Sequence, residues 1–283
     1  MHLAMDIGGT TTRVAKFSTM NSLVPDLIDT FPTSYSYDAQ VLAIRASVDK
    51  LTKMKLQSVG VSFGVGFSPG GKTILAAGKM NDYIGKHFVR DLSRTLGAKV
   101  RVAHDCVCAL LAHQHHKFTK NVRCFAYVTV STGIGAAVAI RADKTTLVFR
   151  SRIAHQIVDA SGLVCKCGQR GCLAAYCDGE QLEFRAKKAG NGHTSLNCHE
   201  FARHLAQGMV SLSWILPVEV IFTAGGFFES NPQLFPLLHT AFSKSRVTGH
   251  YQHCVVRKSP LKNYAPLIGA NLLRTTQKTI IFN

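Results

Sequence analysis

A chain of 283 residues, 46% apolar and 17% charged, has the balance of a folded globular protein and is long enough for two α/β domains or one large one. It contains no run of eighteen apolar residues, and its first strand-like segment begins at His2, so we expect neither a membrane span nor a signal peptide. Nine cysteines without an export signal favour a cytoplasmic protein with reduced thiols over a secreted disulfide scaffold.

The charge is strongly basic, since 33 Lys and Arg against 16 Asp and Glu give a formal net charge of +17. Such a charge suits polyanions, among them nucleic acids, nucleotide phosphates and acidic sugars. The basic residues are scattered without a Lys/Arg block, which favours a solvated basic surface. No helix-turn-helix, RNA-recognition or classical zinc-finger signature is present, so the charge assigns no function by itself.

The apolar pattern predicts strands and helices that alternate along the chain. In chain order the predicted strands are His2–Ile7, Thr12–Phe17, Gln57–Phe63, Lys99–Ala103, Val122–Val130, Gly135–Ile140, Thr146–Phe149 and Val218–Phe222. The predicted helices are Asp38–Lys53, Lys86–Leu96, Cys106–His116, Gly179–Ala189, Ser195–Leu216, Pro232–Phe242 and Pro266–Leu273. The chain thus begins two similar units, each a β-hairpin with a glycine-rich turn followed by mixed α/β structure.

Some residues are given structural interpretations at this stage. Trp214, on a helix with apolar neighbours, is predicted to lie in the core. The run of His113, His115 and His116 is interpreted as an exposed basic helix tip rather than a metal cluster. The cysteines outside the cluster described below are expected to be small buried hydrophobes; they are Cys106, Cys108, Cys124, Cys177, Cys198 and Cys254.

Three glycine-rich turns follow predicted strands. The first, over residues 6–12, reads DIGGTTT, the second, over 131–135, reads STGIG, and the third, over 224–227, reads AGGF. Glycines let backbone N–H groups approach anionic oxygens, threonines add donors, and a carboxylate at a strand end suits a metal-bound phosphate. One such turn is more often a simple tight turn, but three in order favour nucleotide binding. A single Rossmann domain is excluded, because no GxGxxG opens a helix after the first strand.

Four potential metal ligands lie within eighteen residues. They have the spacing H-x9-C-x-C-x4-C, and they are His155, Cys165, Cys167 and Cys172. Three thiolates and one imidazole complete a tetrahedral set for zinc, and a closed four-ligand site of this kind is structural rather than catalytic.

Together these motifs resemble the ROK family. The resemblance is carried by DIGGTTTRVA, VTVSTGIGAAVAI, the CKCGQRGC cluster after AHQ, and FTAGGFFES, in matching order over nearly the whole chain. It implies the α/β, actin-like ATPase (ribonuclease H-like) fold with a nucleotide and sugar cleft between two lobes. Family members are sugar kinases or sugar-responsive repressors. The phosphate turn begins at Asp6 and leaves no room for an N-terminal DNA-binding domain, so a kinase is expected. The short VSTGIG form is most similar to bacterial N-acetylmannosamine kinases.

The resemblance also implies how the chain is divided. The first lobe is expected over residues 1–116, on the sugar and phosphate side. The second is expected over 117–283 and carries the zinc loop and the adenosine site. The last helix, over about residues 265–278, is expected to pack back on the first lobe. Family members are often dimeric, so a homodimer is expected, with sugar and ATP as small-molecule partners and no membrane partner.

The family's functional residues map onto this sequence one by one. Asp105 takes the position of the catalytic aspartate and would act as general base. Asp6 would bind Mg²⁺, directly or through water. The residues implied for nucleotide binding are Asp6, Gly8, Gly9, Thr10, Thr11, Thr132, Gly133, Gly225 and Gly226. Those implied for the sugar site are Gly64, Asn81, His104, Asp105, Arg152 and His155. His155 would also bind structural zinc, together with Cys165, Cys167 and Cys172.

Three sugar-reading positions depart from the family pattern. His104 replaces the usual Asn, Arg152 replaces a Glu, and Ala174 replaces the Glu that closes the cysteine signature. Each unmade hydrogen bond to a buried hydroxyl costs roughly 1–3 kcal/mol. The pocket therefore accepts a modified or anionic sugar, or activity has decayed to a sugar-sensing or polyanion-binding role. The retained aspartates, turns and metal ligands favour the kinase.

Overall fold

The computed structural model describes residues 2–19, 21–114, 116–188, 197–245, 254–273 and 279–282. The strands are β1 His2–Ile7, β2 Thr11–Lys16, β3 Leu27–Pro32, β4 Ser58–Phe63, β5 Gly66–Phe67, β6 Ile74–Ala76, β7 Lys99–Ala103, β8 Cys124–Val130, β9 Ile134–Ala142, β10 Thr145–Ser151, β11 Val220–Ala224, β12 Val255–Lys258 and β13 Thr279–Phe282. The helices are α1 Tyr37–Leu51, α2 Phe88–Leu96, α3 Asp105–Gln114, α4 Leu173–Cys177, α5 Gly179–Lys188, α6 Cys198–Ile215, α7 Gly226–Ser230, α8 Leu234–Ser245 and α9 Ala265–Leu272.

Every predicted strand and helix corresponds to an observed one, with ends displaced by a few residues at most. Parts of the predictions lie outside the described residues: His115, Ala189, residues 195–196 and residues 274–278. Among the described residues, no helix combines the length and the apolar character that crossing a membrane requires.

The chain separates into two compact units. The first contains Met1–Lys117, Asp143–Arg150 and the described residues from Tyr264 onward, and the second contains Phe118–Ala142 and Ser151–Asn263. Residues 143–150 were expected in the second lobe, but they belong to the first unit. They contain most of β10, which pairs in parallel with the C-terminal strand β13 of the same unit.

The first unit is built on a sheet with the strand order β3-β2-β1-β4-β7. Strand β1 runs antiparallel to β2 and parallel to β4, which runs parallel to β7. Five successive buried residues in β1, Leu3–Ile7, show that both faces of this strand are covered, as expected for the centre of such a sheet. The hydrophobic core of the first unit includes Met5, Val61, Phe63 and Phe88.

Helix α9 packs against α3, β1 and β4 within this unit. Two glycines allow the close approach. A Cβ atom on Gly269 would lie 1.6 Å from the carbonyl oxygen of Cys108, and one on Gly60 would lie 1.8 Å from that of Ala270. Backbone therefore packs directly on backbone here, which holds α3 against the sheet.

In the second unit, four strands have the order β12-β11-β8-β9. Strands β8 and β11 are parallel neighbours, so their carboxyl ends, at Val130 and Ala224, lie at one edge of the sheet. The second and third glycine-rich turns leave the sheet at that edge.

Three structural interpretations from the sequence are wrong. Trp214 is 52% exposed near the end of α6, because the helix turns this face outward. His113 is fully buried rather than part of an exposed tip, and its Nδ1 lies 2.7 Å from the carbonyl oxygen of Ala109. Cys198 is only half-buried, because it stands in the first turn of α6.

Candidate active site and metal centre

Asp6 lies at the carboxyl end of β1, between two cross-strand partners. The strand register places Arg13 of β2 opposite it on one side and Ser62 of β4 on the other. Arg13 Nη2 donates to Asp6 Oδ2 at 2.5 Å, and Ser62 Oγ donates to Asp6 Oδ1 at 2.7 Å. The guanidinium of Arg13 also lies over the ring of Tyr264, 5.5 Å from its centroid. Both oxygens of this buried carboxylate are therefore held.

Burial raises the pKa of Asp6 above its usual value, although Arg13 and Ser62 pull the other way. The carboxylate of Asp105 adds to the rise, so the two acids lie within electrostatic reach of each other. The structure thus brings together in one unit the two aspartates that the sequence singled out.

The first glycine-rich turn closes between β1 and β2, where the Gly8 amide donates to the Thr11 carbonyl oxygen at 3.0 Å. Gly9, Thr10 and Thr11 are exposed. The next residue, Thr12, is buried and begins a polar network beneath the turn. The network joins Thr12 Oγ1 to Thr33 Oγ1 at 2.9 Å, Thr33 Oγ1 to the Gly8 carbonyl at 2.8 Å, and Gln40 Nε2 to Thr12 Oγ1 at 2.7 Å. A supported turn with exposed donors is suited to bind anionic oxygens.

Asp105 is the first residue of α3, and His104 alone separates it from β7. Its Oδ1 accepts two short hydrogen bonds, from His104 Nδ1 at 2.6 Å and from the Cys106 amide at 2.6 Å. The Asp105 side chain is 38% exposed, whereas that of His104 is 8% exposed. The carboxylate is thus fixed through one oxygen while remaining open to solvent.

Burial alone would raise the pKa of Asp105, yet its pKa lies below the ordinary value. The charge and hydrogen bond of His104, the Cys106 amide and the charge of Arg150 outweigh the burial. Asp105 is therefore a carboxylate at neutral pH, the form that can accept a proton.

The two remaining first-unit candidates lie between β4 and α2. Gly64 follows β4 and faces Asp105, since a Cβ atom there would come within 3.0 Å of Asp105 Oδ2. Asn81 is exposed at the start of a short 3-10 turn over Asn81–Tyr83. The structure brings Gly64 and Asp105 together across forty residues of sequence.

In the second unit, the turn after β8 contacts the start of α5. The Gly179 amide donates to the Ser131 carbonyl oxygen at 3.2 Å, and the Glu180 amide donates to that of Thr132 at 2.9 Å. Gly133 is half-buried and Thr132 is exposed. This turn is therefore braced by a helix, as the first one is by its polar network.

The third turn lies beside the second. Gly225 has φ of 115°, and a Cβ atom there would lie 2.1 Å from the Val130 carbonyl oxygen, so only glycine fits. Gly226 begins α7 and is exposed. A Cβ atom on Gly179 would approach both Ser131 and the ring of Phe227, which shows how closely the two turns pack.

Sequence reasoning missed Asp178, which stands beside the second turn. Its Oδ1 accepts from the amides of Glu180 at 2.9 Å and Gln181 at 3.2 Å, and thus caps α5. Its Oδ2 would lie 3.5 Å from a Cβ atom on Gly133. Burial raises its pKa, against the pull of the two amides. The pattern D-G-E-Q, an acidic N-cap with Gln at N3, was the available signal.

The predicted metal ligands converge in the second unit. The donor atoms of His155, Cys165, Cys167 and Cys172 all lie within 4.8 Å of one another. Cys167 Sγ and Cys172 Sγ are 3.6 Å apart, and Cys165 Sγ and His155 Nδ1 are 3.8 Å apart. Two thiolates on a tetrahedral zinc with bonds of about 2.3 Å lie about 3.8 Å apart, so the residues fit this ion.

The loop around the four ligands is tightly constrained. Gly171 has φ of 71°, and a Cβ atom there would lie 1.6 Å from the Asp159 carbonyl oxygen. Tyr176 donates through its hydroxyl to Asp159 Oδ2 at 2.9 Å and accepts from the Leu163 amide at 3.0 Å. Its ring stacks on that of His204 of α6, with centroids 3.8 Å apart. The loop is therefore attached to the helical layer of its own unit.

The replaced family acids also belong to the second unit. Arg152 is exposed and precedes the short turn that carries His155, whose amide donates to the Arg152 carbonyl oxygen at 3.0 Å. Ala174 is buried in α4, two residues after the last cysteine ligand.

Comparison with known proteins finds a family model, curated relatives and solved structures that match this chain. The model of the ROK family matches residues 2–277. The N-acetylmannosamine kinase of Vibrio vulnificus strain CMCP6 is 25% identical over 247 residues, which are 79% of this chain and 82% of that protein. A ROK family glucokinase from Streptomyces griseus, in complex with glucose and AMPPNP, matches with a TM-score of 0.77 at 20% identity, covering 96% of this chain and 98% of that one. A ROK family transcriptional regulator, a homologue of the E. coli MLC protein, matches with a TM-score of 0.75 at 15% identity, covering 97% of this chain and 78% of that one.

These structural matches confirm the predicted α/β fold of the actin-like ATPase class. Kinases and a regulator share the fold, so fold alone does not decide between catalysis and sensing. The decision depends on the chemistry of the residues around Asp105.

Proposed function

The chain belongs to the ROK family, and from this premise we propose that it is an ATP-dependent sugar kinase. The observation that carries the proposal is the state of Asp105. It is an ionised carboxylate, held through one oxygen and open to solvent through the rest of its side chain. A general base needs this combination, because it must be fixed in position and still reach a substrate hydroxyl.

In the proposed reaction, Asp105 takes the proton of a sugar hydroxyl while that oxygen attacks the γ-phosphorus of ATP. The phosphoryl group moves to the sugar and ADP leaves. Catalysis of this kind depends mainly on positioning and charge, so the turns that bind phosphate matter as much as the base. We assign phosphate binding to residues Gly8–Thr11 and to Thr132 and Gly133, and adenosine contacts to Gly225 and Gly226.

Asp6 fits Mg²⁺ in its chemistry, since a carboxylate oxygen is the ligand that this ion prefers. Both of its oxygens already accept hydrogen bonds from Arg13 and Ser62, which favours a contact through water over a direct one. When bound, Mg²⁺ supplies positive charge to the phosphates. Asp6 would hold the ion through water, by way of the carboxylate that Arg13 and Ser62 fix in place.

The cluster of His155 and three cysteines is assigned to structural zinc, which it fits in ligand type and spacing. The ion supplies rigidity to a loop whose ligands, apart from His155, lie within eight residues. His155 would then use its second ring nitrogen toward a sugar hydroxyl, as the resemblance implies. The loop contributes order to the sugar site rather than a chemical step.

Within this activity we propose an N-acylhexosamine, with N-acetylmannosamine first, as the substrate. The kinase of Vibrio vulnificus that matches most of this chain supports that choice. The exposed Arg152 and the buried Ala174 stand where the family pattern has acids, so an anionic or modified sugar is the second candidate.

The test is coupled ADP release with ATP and Mg²⁺ against N-acetylmannosamine, N-acetylglucosamine, glucose, mannose, fructose, allose and an acidic hexose. We expect turnover with at least one of them, and most with N-acetylmannosamine. Zinc content and ATP affinity are measured on the same preparation. Folded protein that contains zinc and binds ATP, yet phosphorylates none of these sugars, would exclude the kinase.

The second candidate function is a non-catalytic sugar sensor on the same fold. The changed residues at positions 152 and 174 favour it, and so does the likeness to a ROK family regulator. The two functions differ in one result. A sensor binds a sugar measurably by calorimetry with no ADP release, whereas the kinase shows both.

A further inference from the structure

The two carboxylate oxygens of Asp105 have different surroundings. Oδ1 accepts hydrogen bonds from His104 Nδ1 and from the Cys106 amide, both at 2.6 Å. Oδ2 faces Gly64, at the place where a Cβ atom would come within 3.0 Å of it. Two short hydrogen bonds on one oxygen restrict rotation of the carboxylate, so the position of the other oxygen is defined as well.

His104 is placed to act on Asp105 rather than on solvent. Its side chain is 8% exposed, and its Nδ1 also lies 3.0 Å from Cys106 Sγ. The Cys108 amide donates to the His104 carbonyl oxygen at 2.9 Å, which ties the residue to the first turn of α3. The Nδ1 atom of His104 is therefore engaged by Asp105 and Cys106 of its own unit.

We propose that His104 is a positioning residue of the phosphoryl transfer, which holds Oδ1 of Asp105 so that Oδ2 takes the proton from the sugar hydroxyl. The inference rests on the proposed kinase function. It gives His104 a role other than the sugar contact that the resemblance implies at this position. It also explains why residue 64 is glycine, because any side chain there would occupy the approach to Oδ2.

The other charged groups around Asp105 do not take over this task. Asp6 of β1 is within electrostatic reach, and Arg150 of β10 acts through charge without a hydrogen bond to Oδ1 among the described contacts. Burial keeps the Cys106 and Cys108 thiols neutral by raising the pKa of each. Helix α9, which packs on α3, has no titratable residue over Ala265–Leu272.

Two variants of His104 test the proposal with the full-length protein. His104→Ala removes the donor, so kcat should fall roughly tenfold to a hundredfold, with a smaller change in KM for the sugar. His104→Asn places an amide nitrogen near the lost Nδ1 and should restore most of kcat. Since neither variant carries the charge of His104 that helps to hold the pKa of Asp105 down, the acid limb of the kcat profile should move to higher pH in both. His239→Asn, at an exposed position of α8, is the matched control and should change nothing.

A raised KM with kcat and the pH profile unchanged would show that His104 contacts the sugar, and would overturn the proposal. A second measurement does not depend on activity. Carbon-13 NMR titration of the Asp105 carboxyl should give a higher pKa in His104→Ala than in the wild type, and an equal pKa would also overturn it. If the wild type phosphorylates no sugar while the titration shows the expected difference, the kinase function fails and the contact itself stands.

Discussion

Gly64→Ala is the substitution that most directly tests the geometry around Asp105. The added Cβ atom would lie 3.0 Å from Asp105 Oδ2, about 0.4 Å inside ordinary van der Waals contact. The carboxylate cannot easily rotate away, because Oδ1 is held by His104 and by the Cys106 amide. The carboxylate, which is the proposed base, must therefore shift by a few tenths of an ångström.

A displacement of about 1 Å costs on the order of 100-fold in rate, so we expect Gly64→Ala to lower kcat by about tenfold. KM should change less, because the backbone at residue 64 is retained. The assay is coupled ADP release at saturating ATP and Mg²⁺, with the unfolding midpoint in urea measured in parallel. Gly66→Ala is the matched control, since its Cβ atom would meet Ala76 at 3.4 Å, an ordinary contact.

The effect should also depend on His104. In a His104→Ala background Oδ1 keeps only the hydrogen bond from the Cys106 amide, so the carboxylate can move more easily. The loss caused by Gly64→Ala should then be smaller than in the wild type. An unchanged kcat for Gly64→Ala, or losses that simply multiply in the double variant, would refute the reasoning that Oδ1 is anchored and Oδ2 reacts.

Further expected outcomes concern catalysis, metal, backbone and pH. Asp105→Asn should lower kcat by at least about 100-fold with unchanged folding, and full activity would show that the base is misassigned. Metal analysis should find one zinc per chain. Cys172→Ser should lose the zinc and lower Tm by at least about 5 °C, and a Tm equal to that of the wild type would contradict a structural metal. Gly225→Ala should lower the free energy of unfolding by more than about 4 kcal/mol or abolish soluble expression, because φ is 115° and the new Cβ atom would lie only 2.1 Å from the Val130 carbonyl oxygen. A normal urea midpoint would be inconsistent with this turn. Burial lowers the pKa of His113 to about 4 from 6.5, so its neutral form is favoured in the folded state. Folding stability should therefore fall by up to about 3 kcal/mol as pH drops from 6.5 to 4, and His113→Gln should flatten this decline in urea titrations.

Local patterns predicted the elements that carry the site. The buried run of β1 and the glycine-rich turn after it predicted where Asp6 lies, and the Cys and His spacing predicted a set of ligands that converge. These signals are local, since a strand, a tight turn and a metal loop are each defined within about twenty residues. The structure adds the distances that make the metal interpretation testable.

Elements with weak apolar patterns were missed. Strand β3, with the sequence LIDTFP, lies at the edge of its sheet and has no buried residue, so it lacks the alternation that marks a half-buried strand. Helices α4 and α7 are five residues long, below the length at which helical periodicity can be recognised. Burial of His113 and exposure of Trp214 depend on tertiary packing that no local pattern contains.

The contacts around the proposed base were the least accessible to sequence reasoning. Gly64 and Asp105 meet only because β4 and β7 are parallel neighbours, so residues that follow their carboxyl ends lie at one edge of the sheet. His104 was interpreted from the sequence as a sugar contact, since nothing local indicates that its Nδ1 is directed at the next residue. Pairing of strands, and with it the surroundings of each oxygen, is a property of the folded chain.

Of the three changed positions, two belong to the second unit, and the third, His104, holds the proposed base in the first. Asp105 is held by His104, the Cys106 amide and the space beside Gly64, all within the first unit. The acids of the family pattern that are lost belong to the second unit, at positions 152 and 174. A substitution that leaves the base and its supports in place removes no transition-state interaction at the base, whereas lost contacts to sugar hydroxyls change which sugar binds. The proposed base and its supports can therefore be kept while the substrate changes, and for this reason a sugar panel with acidic and N-acylated members tests the proposed kinase better than glucose alone.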